Sequence, residues 1–376
     1  MEGVEEVIVI DNGSLNVKAG YSGEDLPRCL VESVVGDDQR LGKESDFYVG
    51  SDVQARQEIC KQRRAIVRGE IADWDAMEKV WQYTFANQLQ VSPEQANMPV
   101  MLTDTPLNAK AERERMAEIM FETFKVPSLY IATRAVLSLY AAGRTRGLVV
   151  QAGAGVCHAV PVFEGYALPH AITKLEVGGG DLTEYLRQVL AKKGHALSAA
   201  QMDIVRDIKG RHCYIPPIDR PQADVAYELP DGNVINIDTE SQTSCAEALF
   251  NPKVLGIDSA GLGELAHQAI AKCDVDLQRD LNSAVVLAGG SSMLPGFSAR
   301  MYQEVASRAA PGVEPHIVPD LRPGQPRERG YNTQRKFGSW IGGSIFASLP
   351  TFSQVKITKQ EWEEQGGKSI VHHKCF

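Results

Sequence analysis

The sequence predicts an α/β protein, on three observations. Apolar strand-like runs alternate with helix-period stretches along all 376 residues. Two of the runs, Val7-Ile8-Val9-Ile10 and Gly147-Leu148-Val149-Val150, break into small-residue turns, Asp11-Asn12-Gly13-Ser14 and Gln151-Ala152-Gly153-Ala154-Gly155. A third run, Ser283 to Ala288, leads into Gly289-Gly290-Ser291-Ser292.

The elements follow in chain order. The first two runs read as hairpin-like units, each giving one phosphate-directed loop, and their shared pattern suggests an internal duplication. Glu112 to Phe124 places Met116, Ile119, Met120 and Phe124 on one helical face. Ala132 to Ala142 reads as a helix that Gly143 stops, with Val136, Leu139 and Tyr140 toward the core. Asp181 reads as the cap of the next helix, and Glu184, three residues on, completes a capping-box pattern. Leu182, Tyr185, Leu186, Val189 and Leu190 form its apolar stripe, and Gly194 ends it. Pro319 to Thr333, rich in proline and arginine, reads as an exposed loop. Thr358-x-x-Glu361 marks one more helix start.

Composition narrows the function. The length suits two domains and a large core. A net charge of -9 argues against general nucleic-acid binding, which needs a basic face. No apolar run approaches the roughly 20 residues that span a bilayer, so no membrane span is expected. The start, Met1-Glu2-Gly3-Val4-Glu5-Glu6, lacks the basic region of a signal peptide. Seven cysteines without a Cys-x-x-Cys pair read as reduced thiols of a cytosolic protein. The histidines show no metal spacing, and His372-His373 reads as a solvated pair.

The glycine turns carry the chemistry. Glycines let backbone N–H groups approach phosphate oxygens, and successive amides form an anion nest. Lys18, just past the first turn, adds positive charge, and Asp11 is the type of group that orders water around Mg²⁺. Taken alone, Asp11-Asn12-Gly13-Ser14 is equally an ordinary hairpin turn. The second strand-Gly-x-Gly turn, the Gly289-Gly290 turn and the chain length favour a two-lobed nucleotide binder.

At this point the chain resembles the actins and actin-related proteins over essentially its full length. The matching stretches include DNGS with KAG, DWDAMEKVW, PLNAKAERERMAEIMFETF, AVLSLYAAGRT, FEGYALPHAI, LAGG with PG, SWIGGSIFASL and SIVHHKCF. The resemblance implies an actin-like two-lobed fold with duplicated RNase H-like halves around a nucleotide cleft. It implies an outer half of residues 1–140 plus 336–376, with a small insertion near 31–68, and an inner half of residues 141–335, with an insertion near 180–268. It implies ATP or ADP as cofactor. Gly13, Ser14, Leu15 and Lys18 match the first phosphate loop, with Asp11 reaching a bound Mg²⁺ through water. Gln151, Gly153, Ala154 and Gly155 occupy the second loop. Lys209 matches a lysine at the nucleoside, and Gly289, Gly290, Ser291, Met293 and Lys336 match the adenosine side. His158 matches the histidine near the attacking water and is expected to be a weak, residual catalytic group.

The departures matter more. Actins carry a glycine in place of Leu15, acids in place of Gln151 and Ala154, and a glutamine in place of Arg134. They carry a glutamate in place of Gly210 and an arginine in place of Gly180. Two acids lost and one arginine gained make the phosphate end about three charge units more positive. Arg134 is therefore expected to pair with the terminal phosphate, with Mg²⁺ binding weakened and nucleotide binding tolerant of chelators. The alternative is that Arg134 pairs with a neighbouring acid in an empty cleft. Hydrolysis is expected to be slow or absent, because it needs a positioned water and a proton acceptor.

Several surface features bear on assembly. Asp37 to Phe47 is shorter and more charged than the corresponding actin loop, which weakens one filament contact. Arg68 replaces a histidine beneath the nucleotide. Tyr140, Ala141, Gly143, Thr145, Gly165, Tyr166, Leu349 and Thr351 match the cleft that actin-binding proteins occupy, or else simply pack neighbouring elements together. Val254-Leu255-Gly256-Ile257 matches a small apolar plug between filament strands, or is a capped loop. The expected partners are actin-family subunits or actin-binding proteins within a multiprotein complex. The expected location is the cytoplasm or cytoskeleton, cilia included, with the nucleus as the alternative. The favoured reading is a cytoskeletal or complex-forming structural subunit that binds ATP or ADP with little or no hydrolysis. The second is a divergent polymerising actin with slow ATPase activity. A sugar kinase or chaperone of the same fold ranks last, because the matches reach the C-terminal tail.

Overall fold

A computed structural model describes residues 5–38, 47–56, 58–216, 223–322, 331–364 and 367–375. The chain forms two compact units. One comprises residues 1–145, 162–169 and 337–376, and the other residues 146–161 and 170–336.

The first unit is built on a six-stranded sheet. Its strands are β1 (Ile8–Asp11), β2 (Asn16–Tyr21), β3 (Cys29–Glu32), β4 (Val100–Asp104), β5 (Ser128–Thr133) and the short Ile357–Thr358, which pairs at the β5 edge. In space β1 lies between β2, antiparallel, and β4, parallel, and β5 follows β4 in parallel. Ile8, Val9 and Ile10 are fully buried, as a central strand covered on both faces requires. The register Asp11↔Lys18 sets the two charged residues opposite each other where the hairpin opens.

Helices cover this sheet. Helix α1 (Trp74–Tyr83) is capped by Asp73, whose carboxylate accepts from the Ala76 N–H. Arg63 ties the small three-stranded sheet to this helix start, pairing with Asp37 at 2.8 Å, Asp73 at 2.6 Å and Asp75 at 2.7 Å. Helix α2 (Lys110–Glu118) runs on into a π-helical turn, Ile119–Thr123, and buries Met116, Ile119 and Met120 as its spacing predicts. Phe124, just beyond, is half-buried. Helix α3 (Arg134–Ala141) starts later than the sequence suggests, because Ala132 and Thr133 complete β5. It buries Ala135, Leu137, Ser138 and Leu139, whereas Val136 and Tyr140 are only half-buried. The reason is its neighbour, the glycine-rich helix Gly338–Ala347. A Cβ on Gly342 would overlap the Leu137 carbonyl, so the two backbones touch and α3 turns its small face inward.

The second unit repeats the strand order. Strands β6 (Gly147–Ala152) and β7 (Cys157–Phe163) are neighbours, and β6 pairs in parallel with β8 (Val285–Ala288), which pairs in parallel with β9 (Ile317–Val318). Each sheet thus places two parallel strands beside the first strand of a hairpin, as expected of duplicated halves. The hairpin tail, residues 162–169, groups with the first unit. Helix α4 (Gly179–Lys192) buries Leu182, Leu186, Val189 and Leu190, and Tyr185 is half-buried. Its start differs from the sequence reading. Asp181 sits inside the first turn and reaches back to accept from the Gly178 N–H at 2.8 Å, and Glu184 pairs with Arg187. The Thr358–Glu361 capping box forms as expected, with Thr358 N–H donating to Glu361 at 2.9 Å and Glu361 N–H to Thr358 Oγ1 at 3.2 Å.

The cysteines of the described residues are buried free thiols. Among the described residues no helix is long and apolar enough to cross a membrane, and no group of three acidic, histidine or cysteine side chains is arranged to hold a metal ion. The Asp37–Phe47 loop falls largely, and the Pro319–Thr333 loop mostly, outside the described residues.

Candidate functional site

In the first unit the turn between β1 and β2 is held from several sides. Asn12 accepts from Trp81 Nε1 at 3.0 Å and donates its side-chain amide to the Thr103 carbonyl at 3.2 Å. Ser33 Oγ donates to the Gly13 carbonyl, and Ser14 Oγ accepts from the Gly69 N–H at 3.0 Å. Gly13 is demanded by close approach, since a Cβ there would lie 2.5 Å from the Asn16 carbonyl oxygen and 3.0 Å from Lys18 Nζ. Leu15 is half-buried, and its carbonyl accepts from Ser33 N–H at 2.9 Å. Arg68 adopts a positive φ of 52°, directly before Gly69.

Four side chains meet beside this turn. Asp11 is 4% exposed and accepts from Lys18 Nζ at 2.6 Å on Oδ2 and from Thr103 Oγ1 at 2.7 Å on Oδ1. Arg134 Nε lies 3.4 Å from the same Oδ1 and 3.3 Å from Thr103 Oγ1. Burial opposes ionisation of Asp11, but the charges of Lys18 and Arg134 and the hydrogen bonds from Lys18 and Thr103 outweigh it. The Asp11 carboxyl is therefore held below the usual carboxylate range. Arg134 thus lies in ion-pair contact with Asp11.

In the second unit three glycine-bearing segments converge. The Gly153 carbonyl accepts from Gly179 N–H at 2.9 Å and from Ser291 Oγ at 3.0 Å, and the Ala154 carbonyl accepts from Gly180 N–H at 2.8 Å. Gly289, at φ 88°, passes so close to the Ala152 carbonyl that a Cβ would overlap it. Lys209 donates to the Gly179 carbonyl and, at 2.7 Å, to Thr183 Oγ1. Burial pushes its ammonium down to about 8. Gln151 is the penultimate residue of β6, opposite Ala288, and Gly155 lies in the turn that leads to β7. Met293 closes the short helix after Gly289 and is half-buried. Lys336 is exposed on the same segment as Arg335. His158 is buried within β7 opposite Lys174, away from solvent in its own sheet. A Cβ added at Gly210 would meet open space, whereas one at Gly180 would lie 3.3 Å from the Ala154 carbonyl oxygen, a tight contact.

Sequence reasoning missed two members of these clusters. Thr103 organises Asp11, Asn12 and Arg134, and only its place at the end of an apolar run hinted at it. Arg335, 3% exposed, donates to the Ser292 carbonyl at 2.7 Å and to Ser292 Oγ at 3.2 Å, while its own carbonyl accepts from Gly289 N–H. Its neighbour Lys336, picked out by the motif, is exposed.

A separate apolar surface lies in the first unit. Tyr140 stacks on Phe346 at 5.9 Å, and Phe346 in turn meets Tyr130 and Phe352. Gly165 sits on the Tyr140 hydroxyl, and its N–H donates to the Thr145 carbonyl at 2.9 Å. Tyr166, Ile345 and Leu349 are 59%, 45% and 46% exposed. Ala141 and Gly143 end α3, and Thr351 starts the turn after Leu349, with its carbonyl accepting from Gln354 N–H. Val254 and Leu255 form a short 3₁₀ turn that Gly256 caps at φ 74°, and Val254 is 37% exposed.

The fold, the two glycine-lined turns and the sequence signatures converge with comparison to known families. The family model described as Actin matches residues 3–376, essentially the whole chain, and the protein belongs to the actin family.

Proposed function

We propose that this chain is an actin-like cytoskeletal or complex-forming structural protein that binds ATP or ADP and hydrolyses it little or not at all. Actin-family proteins generally bind ATP or ADP with Mg²⁺. The observation that carries the reading is the mismatch between holding and cutting groups. Holding groups are plentiful: Lys18 and Arg134 beside the first turn, and the glycine segments around Gly153 and Gly289 in the second unit. Cutting groups are scarce. Asp11 is already engaged by two cations and Thr103, Gln151 and Ala154 carry no charge, and His158 is enclosed in its strand. Without a proton acceptor and an oriented water, phosphoryl transfer to water loses its main catalytic terms.

The exposed Tyr166 and Leu349, backed by the Tyr140–Phe346 stack, support the docking of actin-binding proteins or actin-family subunits at that surface. We assign the protein to the cytoplasm or cytoskeleton, since the sequence has no basic import cluster. The test of the catalytic reading is single-turnover ATP hydrolysis by the native chain and by the triple variant Arg134→Gln, Gln151→Asp, Ala154→Asp. The variant is expected to gain turnover over a nearly inactive parent. A parent that turns over as fast as the variant would overturn the proposal. Sedimentation under polymerising salt separates the runner-up, and concentration-dependent filaments would favour a divergent polymerising actin.

A further inference from the structure

The Asp11 cluster does not suit the metal that the family implies. A carboxylate offers about four acceptor positions. On Asp11, Lys18 takes one, and Thr103 and Arg134 crowd the other oxygen. A hydrated Mg²⁺ keeps several waters that need acceptors in near-octahedral directions. Asp11 has little capacity left for them. A divalent charge beside Lys18 and Arg134 is also opposed electrostatically, because these two cations already face one acid.

We propose that Arg134, held in place by Asp11 and Thr103, is a built-in cation that takes over the metal's charge, so that the site accepts ATP or ADP as the metal-free anion. This rests on the nucleotide-binding reading above. In it Asp11 changes role and becomes a positioning residue for Arg134 and Lys18. The geometry suits the task. Arg134 approaches Asp11 and Thr103 through Nε, and its side chain keeps 12% of its surface open. A guanidinium anchored through Nε retains its terminal N–H groups as a planar fork for phosphate oxygens. The arginine stands at the first position of α3, directly after β5, so a rigid strand–helix junction fixes its backbone.

The test is equilibrium binding of ATP to the full-length protein, first in EDTA and then in millimolar Mg²⁺. The proposal expects affinity in EDTA equal to or better than that in Mg²⁺. Arg134→Gln is expected to weaken binding in EDTA by about ten- to a hundredfold, the weight of a charge-assisted hydrogen bond. It is expected to make the remaining affinity depend on Mg²⁺, and Arg134→Lys to recover part of the loss. Thermal melts of both variants check that they are folded. Binding that appears only with Mg²⁺ would overturn the proposal and leave nucleotide binding intact. A folded Arg134→Gln variant with unchanged affinity in EDTA would also overturn it. Absence of binding in both media would defeat the nucleotide reading itself.

Discussion

Replacing Asp11 by Asn tests the charge balance of the first turn directly. The carboxylate is 5% exposed in its side chain and lies 2.6 Å from Lys18 Nζ and 3.4 Å from Arg134 Nε. At an effective dielectric near 20, a pair 3.4 Å apart gains about 5 kcal/mol of gross attraction, most of it offset by desolvation. The net cost of substitution comes from what remains. Asp11→Asn leaves two largely buried cations facing each other without an acid, a loss of roughly 3–5 kcal/mol. Arg134→Gln leaves Asp11 still bonded to Lys18 and Thr103, so its cost is nearer ~1 kcal/mol. The double variant is expected to be milder than the sum, because removing Arg134 relieves the repulsion that the first change creates. Each kcal/mol lowers the melting midpoint of a domain this size by about 2–4 °C. Calorimetry of the nucleotide-free full chain should therefore place Asp11→Asn about 10 °C below the parent and Arg134→Gln a few degrees below it. An Asp11→Asn protein that melts with the parent, or costs that simply add, would refute the reasoning.

Four other outcomes follow from the same geometry. Asp11 has a folded pKa below its unfolded value, so its contribution to stability is present above the ordinary carboxylate range and is lost as pH falls through the lower value; Asp11→Asn should flatten the acid limb of a pH–melting profile. Lys209 falls to about 8 in the folded chain against about 10.4 unfolded, so the unfolded state binds more protons between those values and stability should rise with pH across them, a slope that Lys209→Met removes. Gly289→Ala should lower stability by about 1–3 kcal/mol, read in denaturant titrations, because it combines a positive φ with a clash at Ala152. Cys29 and Cys375 are pushed up to about 11 and Cys157 to about 12 by burial, so these thiols should resist a thiol reagent at neutral pH and react fully once the chain is denatured.

Local signals were legible in the sequence where one element satisfied its own needs. The unbroken Val7-Ile8-Val9-Ile10 run became a fully buried central strand, and Met116, Ile119 and Met120 fell on one helical face. The Thr358–Glu361 box formed because both partners lie in one turn. Signals failed where a distant partner decided the outcome. Helix α4 begins before Asp181 because the N–H groups of Gly179 and Gly180 are taken by the carbonyls of Gly153 and Ala154. The inward face of α3 is set by backbone contact with Gly342, which no periodicity within residues 134–141 encodes. The same holds for the site. Motif matching selected Asp11, Lys18 and Arg134 singly, but their mutual pairing depends on the order of β1, β4 and β5 in the sheet. Thr103 and Arg335 were missed because a buried hydroxyl or guanidinium acquires its meaning only from the groups it bonds.

Nucleotide held without being cut is the defining property of the proposed protein, and its bound nucleotide can be identified directly. Purified protein is loaded with ATP, freed of unbound nucleotide, incubated for many hours, denatured, and the released nucleotide identified by chromatography. Stoichiometric intact ATP is the predicted result. Stoichiometric ADP would mean that catalysis survives with Gln151 and Ala154 in place of acids, and an empty protein would mean that the glycine turns do not hold nucleotide; either would contradict the account.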